Sequence, residues 1–208
     1  FHSETSAINK RHHMTEMFEL YESLYFEGLP VGFVTEKILR EQDHQDWDVV
    51  SVYRTEYVTD AEFGELQRYL DEGGIVITDE ASLTMNEYGE PRERRLRTSV
   101  GTHIHIDASA GFEGFKDKAL SIAADRRPPV LLNEENGSPF NGCIWRVASR
   151  PHAGPILTVL NVGKHTARLE ASFRKGGEAV CKDMLTAQML GASFELKPNG
   201  VLLLEVVE

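Results

Sequence analysis

The hydrophobic rhythm of the chain changes once, at Arg126-Arg127-Pro128-Pro129, and no other feature limits the fold as much. Upstream, runs with helical spacing alternate with short apolar runs. Downstream, only short apolar runs remain, many of them separated by glycine, proline or asparagine turns. The two patterns belong to different packings, helices on a sheet and sheet on sheet. Two units are therefore expected, residues 1–127 and 128–208, and 208 residues are enough for both.

In the first unit, Met14, Met17, Phe18, Tyr21, Leu24 and Tyr25 recur at helical spacing, and Gly28 followed by Pro30 supplies the stop. Val31–Val34 reads as a short buried strand, Glu36 to Arg40 as a brief helix, and Asp48–Tyr53 as another buried strand. Thr59-Asp60-Ala61-Glu62 is a capping box, since the Thr59 hydroxyl can accept from the third helical amide while Glu62 reaches back. Phe63, Leu66 and Leu70 then mark one helical face, Gly73-Gly74 ends it, and the strand Ile75–Thr78 runs into Asp79-Glu80. Phe112 to Ala124 reads as a last helix. Repeated strand–helix–strand units predict a parallel sheet wrapped by helices. The helix near His13 should be fed by a buried strand, yet only Phe1-His2-Ser3 precedes the loop Glu4–Ala7. The first strand is thus expected to be truncated, and the chain to be the downstream part of a longer polypeptide.

After residue 129 the strand candidates are Val130–Leu132, Cys143–Ala148, Ile156–Asn161, Ala167–Phe173, Ala179–Met184, Ala192–Leu196 and Val201–Val207. Turns at Asn136-Gly137, Lys175-Gly176-Gly177 and Pro198-Asn199-Gly200 punctuate them. Alternation is clearest in Arg168–Phe173. Seven short strands in so few residues predict a small antiparallel β-sandwich.

Twenty-two basic against 33 acidic residues leave a net charge of −11, which argues against nucleic acid or an anionic membrane as partner. The basic run Arg92–Arg97 contains Glu93 and reads as a solvated or interface loop. No apolar run is long enough to span a membrane, and no signal peptide is visible at the start, which favours a cytoplasmic location. Cys143 and Cys181 sit in apolar runs and read as buried free thiols.

A nucleophile elbow needs small residues around its Ser or Cys, and the chain has no G-x-S-x-G or G-x-C-x-G. Ser82 lies between Ala81 and Leu83, and Cys143 is followed by bulky Ile144-Trp145. His103-Ile104-His105-Ile106-Asp107 places His103, His105 and Asp107 on one strand face, a weak metal candidate that a half-buried strand explains as well. His12-His13 reads as a solvated helix start. Asp79 and Glu80 are adjacent on a strand end, so they point to opposite faces and cannot form a glycosidase carboxylate pair with each other. Glu4, Glu56 and one of Asp79 or Glu80 could line an acidic rim at the sheet's carboxyl edge; separate loop carboxylates are the plainer reading. Gly73-Gly74 precedes a strand instead of opening a helix, so no phosphate-cradling loop or cofactor motif is present. Trp47 and Trp145 are candidate sugar-stacking rings, with Trp145 set among core-like neighbours.

The runs YESLYFEGLPVGFV (Tyr21–Val34) and DVVSVYRTEYVTDAEFGELQRYLDEGGIVITDEAS (Asp48–Ser82) resemble the trimerisation domain of family 42 glycoside hydrolases, the β-galactosidase type. That resemblance implies a flavodoxin-like parallel sheet with helices on both faces, related to class I glutamine amidotransferases but without their nucleophile. The tail from Leu185 through Phe194–Val201 to Glu205 is similar to the small β-sandwich that closes such enzymes. Agarase-like glycosidases carry similar modules. The family's catalytic glutamates stand on an N-terminal (β/α)8 barrel, so no catalytic residue carries over to this chain. The implied partners are the chain's own catalytic barrel, neighbouring subunits in a homo-oligomer such as a trimer, and carbohydrate in the parent enzyme. Glu4, Thr5, Arg54, Glu56, Asp79 and Glu80 become candidates for interface or substrate-mouth loops. No role is assigned to residues 84–107. The alternatives are a stand-alone carbohydrate- or protein-binding module, and a degenerate amidotransferase-like hydrolase.

Overall fold

The structure is a computed structural model that describes residues 1–42, 46–135, 142–151 and 153–207. It is a mixed α/β chain dividing into two compact units, one of residues 1–21 and 32–123, the other of residues 22–31 and 124–208. The expected turn at Asn136-Gly137 lies outside the described residues.

The first unit holds a three-stranded parallel sheet, β1 (Val50–Val52), β2 (Ile75–Asp79) and β3 (Thr102–Ile106), in that order. Its β2 is central, and Val76 and Ile77 are fully buried, as expected for a strand covered on both faces. Helix α4 (Asp60–Asp71) supplies the lid of the core, with Phe63, Leu66 and Leu70 at 0% exposure. Each such side chain contributes about 1.5–3 kcal/mol by leaving water. The capping box is present in full: Glu62 N–H donates to Thr59 Oγ1 at 3.1 Å, and Thr59 N–H donates to Glu62 Oε2 at 2.7 Å. Gly73 has φ +107°, and a Cβ on Gly74 would lie 2.2 Å from the Tyr69 ring, so both glycines of the stop are required by the backbone path. The last helix, α5 (Gly111–Ile122), buries Phe115 and Ala119.

Several expectations shift. Glu4–Ala7 is not a loop: it lies in a short helix, α1 (Glu4–Asn9), capped by the Ser3 hydroxyl, which accepts from Ser6 N–H at 3.1 Å. In α2 (His13–Tyr25) the period is helical, but the buried stripe is His13, Met17, Leu20 and Leu24, while Met14 and Phe18 are exposed. Val31–Val34 is extended but forms no regular strand, and only Val34 is buried. Its Val34 carbonyl accepts from His2 N–H at 2.8 Å, and Phe1 N donates to Ser51 O at 2.6 Å. Helix α3 (Glu36–Glu41) follows as expected, capped by Thr35.

The second unit contains two antiparallel sheets. One has the order β10 (Ser193–Leu196), β7 (Ala167–Phe173), β4 (Val130–Glu134). The other runs β5 (Cys143–Arg150), β6 (Ala153–Asn161), β11 (Val201–Val207), β8 (Val180–Asp183), β9 (Met189–Gly191). Residues from both sheets, including Leu169, Phe194, Leu157 and Leu204, form one core. All seven expected strands are there, and β9 is additional. Strand β7 buries Ala167, Leu169 and Ala171 and exposes Arg168 and Glu170, the alternation its sequence carries. Trp145 is 3% exposed and donates its indole N–H to Phe26 O at 3.0 Å. It stands so close to Gly28 that a Cβ there would lie 2.3 Å from the ring, and Gly28 has φ +78°. Trp145 is therefore a core residue and presents no stacking face. Cys143 and Cys181 are both buried and free.

Candidate functional site

Parallel strands deliver side chains to their carboxyl edge, and there β1 and β2 bring the candidate residues together. Arg54 follows β1 with φ 47°, a conformation that costs a non-glycine residue energy and is held by its surroundings. Its amide N–H donates to Asp79 Oδ1 at 3.1 Å, and its guanidinium donates to Glu16 Oε1 of α2 at 2.7 Å. Lys10 completes the group, with Nζ 2.7 Å from Glu16 Oε2 and 3.1 Å from Arg54 O. Burial opposes ionisation of Glu16, but the hydrogen bonds and charges of Lys10 and Arg54 outweigh it and hold the carboxyl below its usual range. Burial meanwhile pushes the Tyr53 phenol up.

Asp79 and Glu80 do part company. Asp79 Oδ1 also accepts from the Ser82 hydroxyl, whereas Glu80 Oε2 accepts from Ala108 N–H at 3.2 Å. Ser82 is 5% exposed; its oxygen accepts from Thr55 N–H at 3.0 Å and faces Val52 O at 3.0 Å. A hydroxyl whose one proton is shared between a carboxylate and a carbonyl is a structural tie between two strand ends. Leu83, next in sequence, has φ 62° and donates its amide to Thr55 O at 2.8 Å. Glu4 and Thr5 stand in the first turn of α1, and Glu56 accepts two amides, from Thr84 and Met85, through its backbone carbonyl. Of the expected rim, Glu4 stands on α1, Asp79 ends β2, and Glu56 and Glu80 lie outside the helices and strands; Arg54 is tied to Asp79 directly.

On β3, His103 and His105 lie on one face, both against Thr78: His103 Nε2 is 2.9 Å and His105 Nδ1 3.3 Å from Thr78 Oγ1. Burial, and then the neighbouring His105, hold His103 below the usual imidazole range. No group of three or more His, Cys, Asp or Glu converges among the described residues, and Asp107 is exposed. The two imidazoles instead line a cleft of about 180 Å³ with Thr78, Glu80 and the strap Arg94–Leu96, floored by Phe63 and Leu83.

That strap is the part the sequence left unassigned. Arg92 crosses back over α4, with its guanidinium 2.8 Å from Val58 O, paired with Asp60 and 5.1 Å from the Phe63 ring centroid. Arg94 lies 4.9 Å over the same ring, and Leu96 is buried. Gln67 of α4 clamps Arg97 at both its N–H and its carbonyl, at 2.9 and 2.7 Å. The spacing 92, 94, 96 has the period of an extended segment, a signal that the basic character of the run masks in sequence.

In the second unit, burial and then the nearby Glu134 carboxylate push the Cys143 thiol up to about 12, and burial pushes Cys181 up to about 11. Neither supplies a thiolate near neutral pH. Trp47 remains partly exposed, with its indole N–H bonded to Gln42 Oε1 at 2.8 Å. No helix among the described residues is long and apolar enough to cross a membrane.

Comparison with known proteins places this geometry. No family model and no curated protein sequence matches the chain. Among solved structures it is similar to an exo-carrageenase GH42 from Bacteroides ovatus, with a TM-score of 0.90 and 35% identity, over 99% of this chain and 28% of that one. It is similar also to a GH42 β-galactosidase from G. stearothermophilus, with a TM-score of 0.61 and 10% identity, over 96% and 37% of the respective chains. A β-galactosidase from Bacillus circulans sp. alkalophilus gives a TM-score of 0.58 and 14% identity, over 94% and 38%. At those lower identities the likeness is one of fold. The structural neighbours that cover the whole chain are thus GH42 glycoside hydrolases, and the chain spans between about a quarter and two fifths of their lengths. The chain is similar, over nearly its whole length, to a region of GH42 glycoside hydrolases.

Proposed function

We propose that this chain is a non-catalytic accessory and oligomerisation region of a multidomain glycoside hydrolase acting on β-galactosides or related galactans. One observation carries the reading: nearly the entire chain matches part of a much longer GH42 enzyme at 35% identity. The chemistry of the carboxyl edge supports it. Ser82 is tied there to Asp79 and backbone, and Asp79 and Glu80 bond on different sides of β2. In the second unit, separately, both cysteines are buried with raised thiol pKa.

The finer fold assignment belongs to the same proposal. Phe1 N reaches Ser51 O on one side while His2 N–H reaches Val34 O on the other. On this reading the segments around Val34 and Phe1–Ser3 extend the sheet, in the order Val34 segment, 1–3, β1, β2, β3, the 2-1-3-4-5 order of flavodoxin-like sheets. An amidotransferase-like domain of this order without a nucleophile fits a trimerisation role, with α1 and the residues around Arg54, Glu56, Asp79 and Glu80 as interface elements. Sedimentation equilibrium of the chain tests this. A concentration-dependent species of three times the 23.4 kDa chain mass is expected, and a monomer throughout the micromolar range would remove the oligomerisation role.

A second reading, a carbohydrate-binding module, rests on the partly exposed Trp47. Galactan affinity lost in Trp47→Ala would favour it. Trp145 no longer serves as a probe, because its removal opens the core of the second unit.

A further inference from the structure

The cleft between β3 and the Arg94–Leu96 strap shares only Glu80 and Ser82 with the edge residues of the reading above, and its lining has a definite chemical preference. Arg94 and Arg95 are exposed at it, and neither has a carboxylate partner within ion-pair distance among the described residues. The other arginines over α4 differ: Arg92 is paired with Asp60, and Arg68 with Glu65 and Glu72. Arg94 is instead held over the Phe63 ring, within the field of Asp60 but outside ion-pair distance of it, so its donor fork is not occupied by a carboxylate. Glu80 is the one carboxylate of the lining, and one of its oxygens already accepts from Ala108 N–H.

The polar wall formed by Thr78, His103 and His105 adds hydrogen-bonding groups. Thr78 Oγ1 contacts both imidazoles but has one proton to give. If it donates to one ring, that ring carries its own N–H on the other nitrogen, free to donate elsewhere. The second ring then donates to Thr78. The lining therefore offers guanidinium N–H groups, two imidazoles whose ring nitrogens donate or accept according to tautomer, and two guanidinium charges against one carboxylate. A metal ion is disfavoured by the same arginines. The volume, about 180 Å³, lies below that of typical drug-sized sites, so a small group fits and a polymer chain does not.

We propose that this cleft is a binding site for a tetrahedral oxyanion, sulfate or phosphate, either free or as the monoester on a sugar, gripped by Arg94 and Arg95 and oriented by the His103–Thr78–His105 triad. The proposal is independent of the oligomerisation role.

The test is an NMR titration of the imidazole signals of the full 208-residue chain. The probes are sodium sulfate, sodium phosphate, galactose 6-sulfate and galactose, each at constant ionic strength. Saturable shifts at His103 and His105 with the anions, and none with galactose, are expected. Tighter binding of galactose 6-sulfate than of sulfate would identify a saccharide ester as the source; equal or weaker binding would identify the free anion. Arg94→Gln removes a charge-assisted bidentate contact and should weaken binding about tenfold or more. Arg95→Gln, at an exposed residue outside any ion pair, should weaken it several-fold with the fold intact. Absence of saturable shifts, affinity unchanged in both variants, or saturation by zinc in place of the anions would overturn the proposal.

Discussion

His13 shows how much a single residue's surroundings decide. The sequence reading places it at a solvated helix start, but in the fold it is 1% exposed, stacked on His2 at 5.9 Å, and neither ring nitrogen has a well-formed hydrogen bond. Burial, and then the charges of His2 and Lys10, lower its pKa from 6.5 to about 4, against a weak backbone contact at Arg54. Between those two values the unfolded chain holds a proton that the folded chain does not. The neutral ring's contribution is therefore complete above pH 6.5 and is lost as pH falls toward about 4. The loss amounts to roughly 2–3 kcal/mol. Thermal unfolding at pH 7 and pH 4.5 checks this: the drop in Tm should shrink in His13→Leu, and an equal drop in both proteins would show that His13 is not the acid-sensitive group. Asp79 was more legible. Period-two geometry alone separates it from Glu80, whereas the Arg54–Glu16 bond beyond it joins residues 38 apart and needs α2 laid across the end of β1.

At the scale of elements, local chemistry that is complete in sequence was readable. The Thr59–Glu62 capping box forms as written, and Thr59→Ala should cost about 1 kcal/mol, measured as a shift in the denaturant midpoint with unchanged slope. Where an element's identity depends on what lies against it, sequence carried less. Helix α2 has the right period and buries Met17 and Leu24 of the expected set, but Met14 and Phe18, as apolar as Met17 and Leu20, face out, because only packing decides which stripe is buried. Val31–Val34 has a strand's composition but only one short neighbour to bond with. Strand β9 is three residues at a sheet edge, with Met189 half exposed, and leaves no apolar run to detect. The Arg92–Leu96 strap was hidden by its charge: an arginine-rich run reads as solvated until Phe63 appears beneath it.

At the scale of the molecule, both classes of packing anticipated from the change of rhythm near residue 127 are present: a parallel sheet with helices, then two antiparallel sheets around a shared core. The segment Glu22–Val31 clusters with the second unit, because Trp145 fills the space at Gly28 and binds Phe26, and Arg146 stacks on Tyr25 at 3.9 Å. No sequence periodicity encodes such a long-range seat. The proposed accessory role turns on what the carboxyl edge can do chemically. Asp79, Ser82 and Arg54 there are spent on holding two strand ends together. The most direct test is hydrolysis of a chromogenic β-galactoside and of carrageenan oligosaccharides by the purified chain. The account predicts no turnover above the buffer rate, and saturable turnover abolished by Asp79→Asn, Glu80→Gln or Glu56→Gln would contradict it.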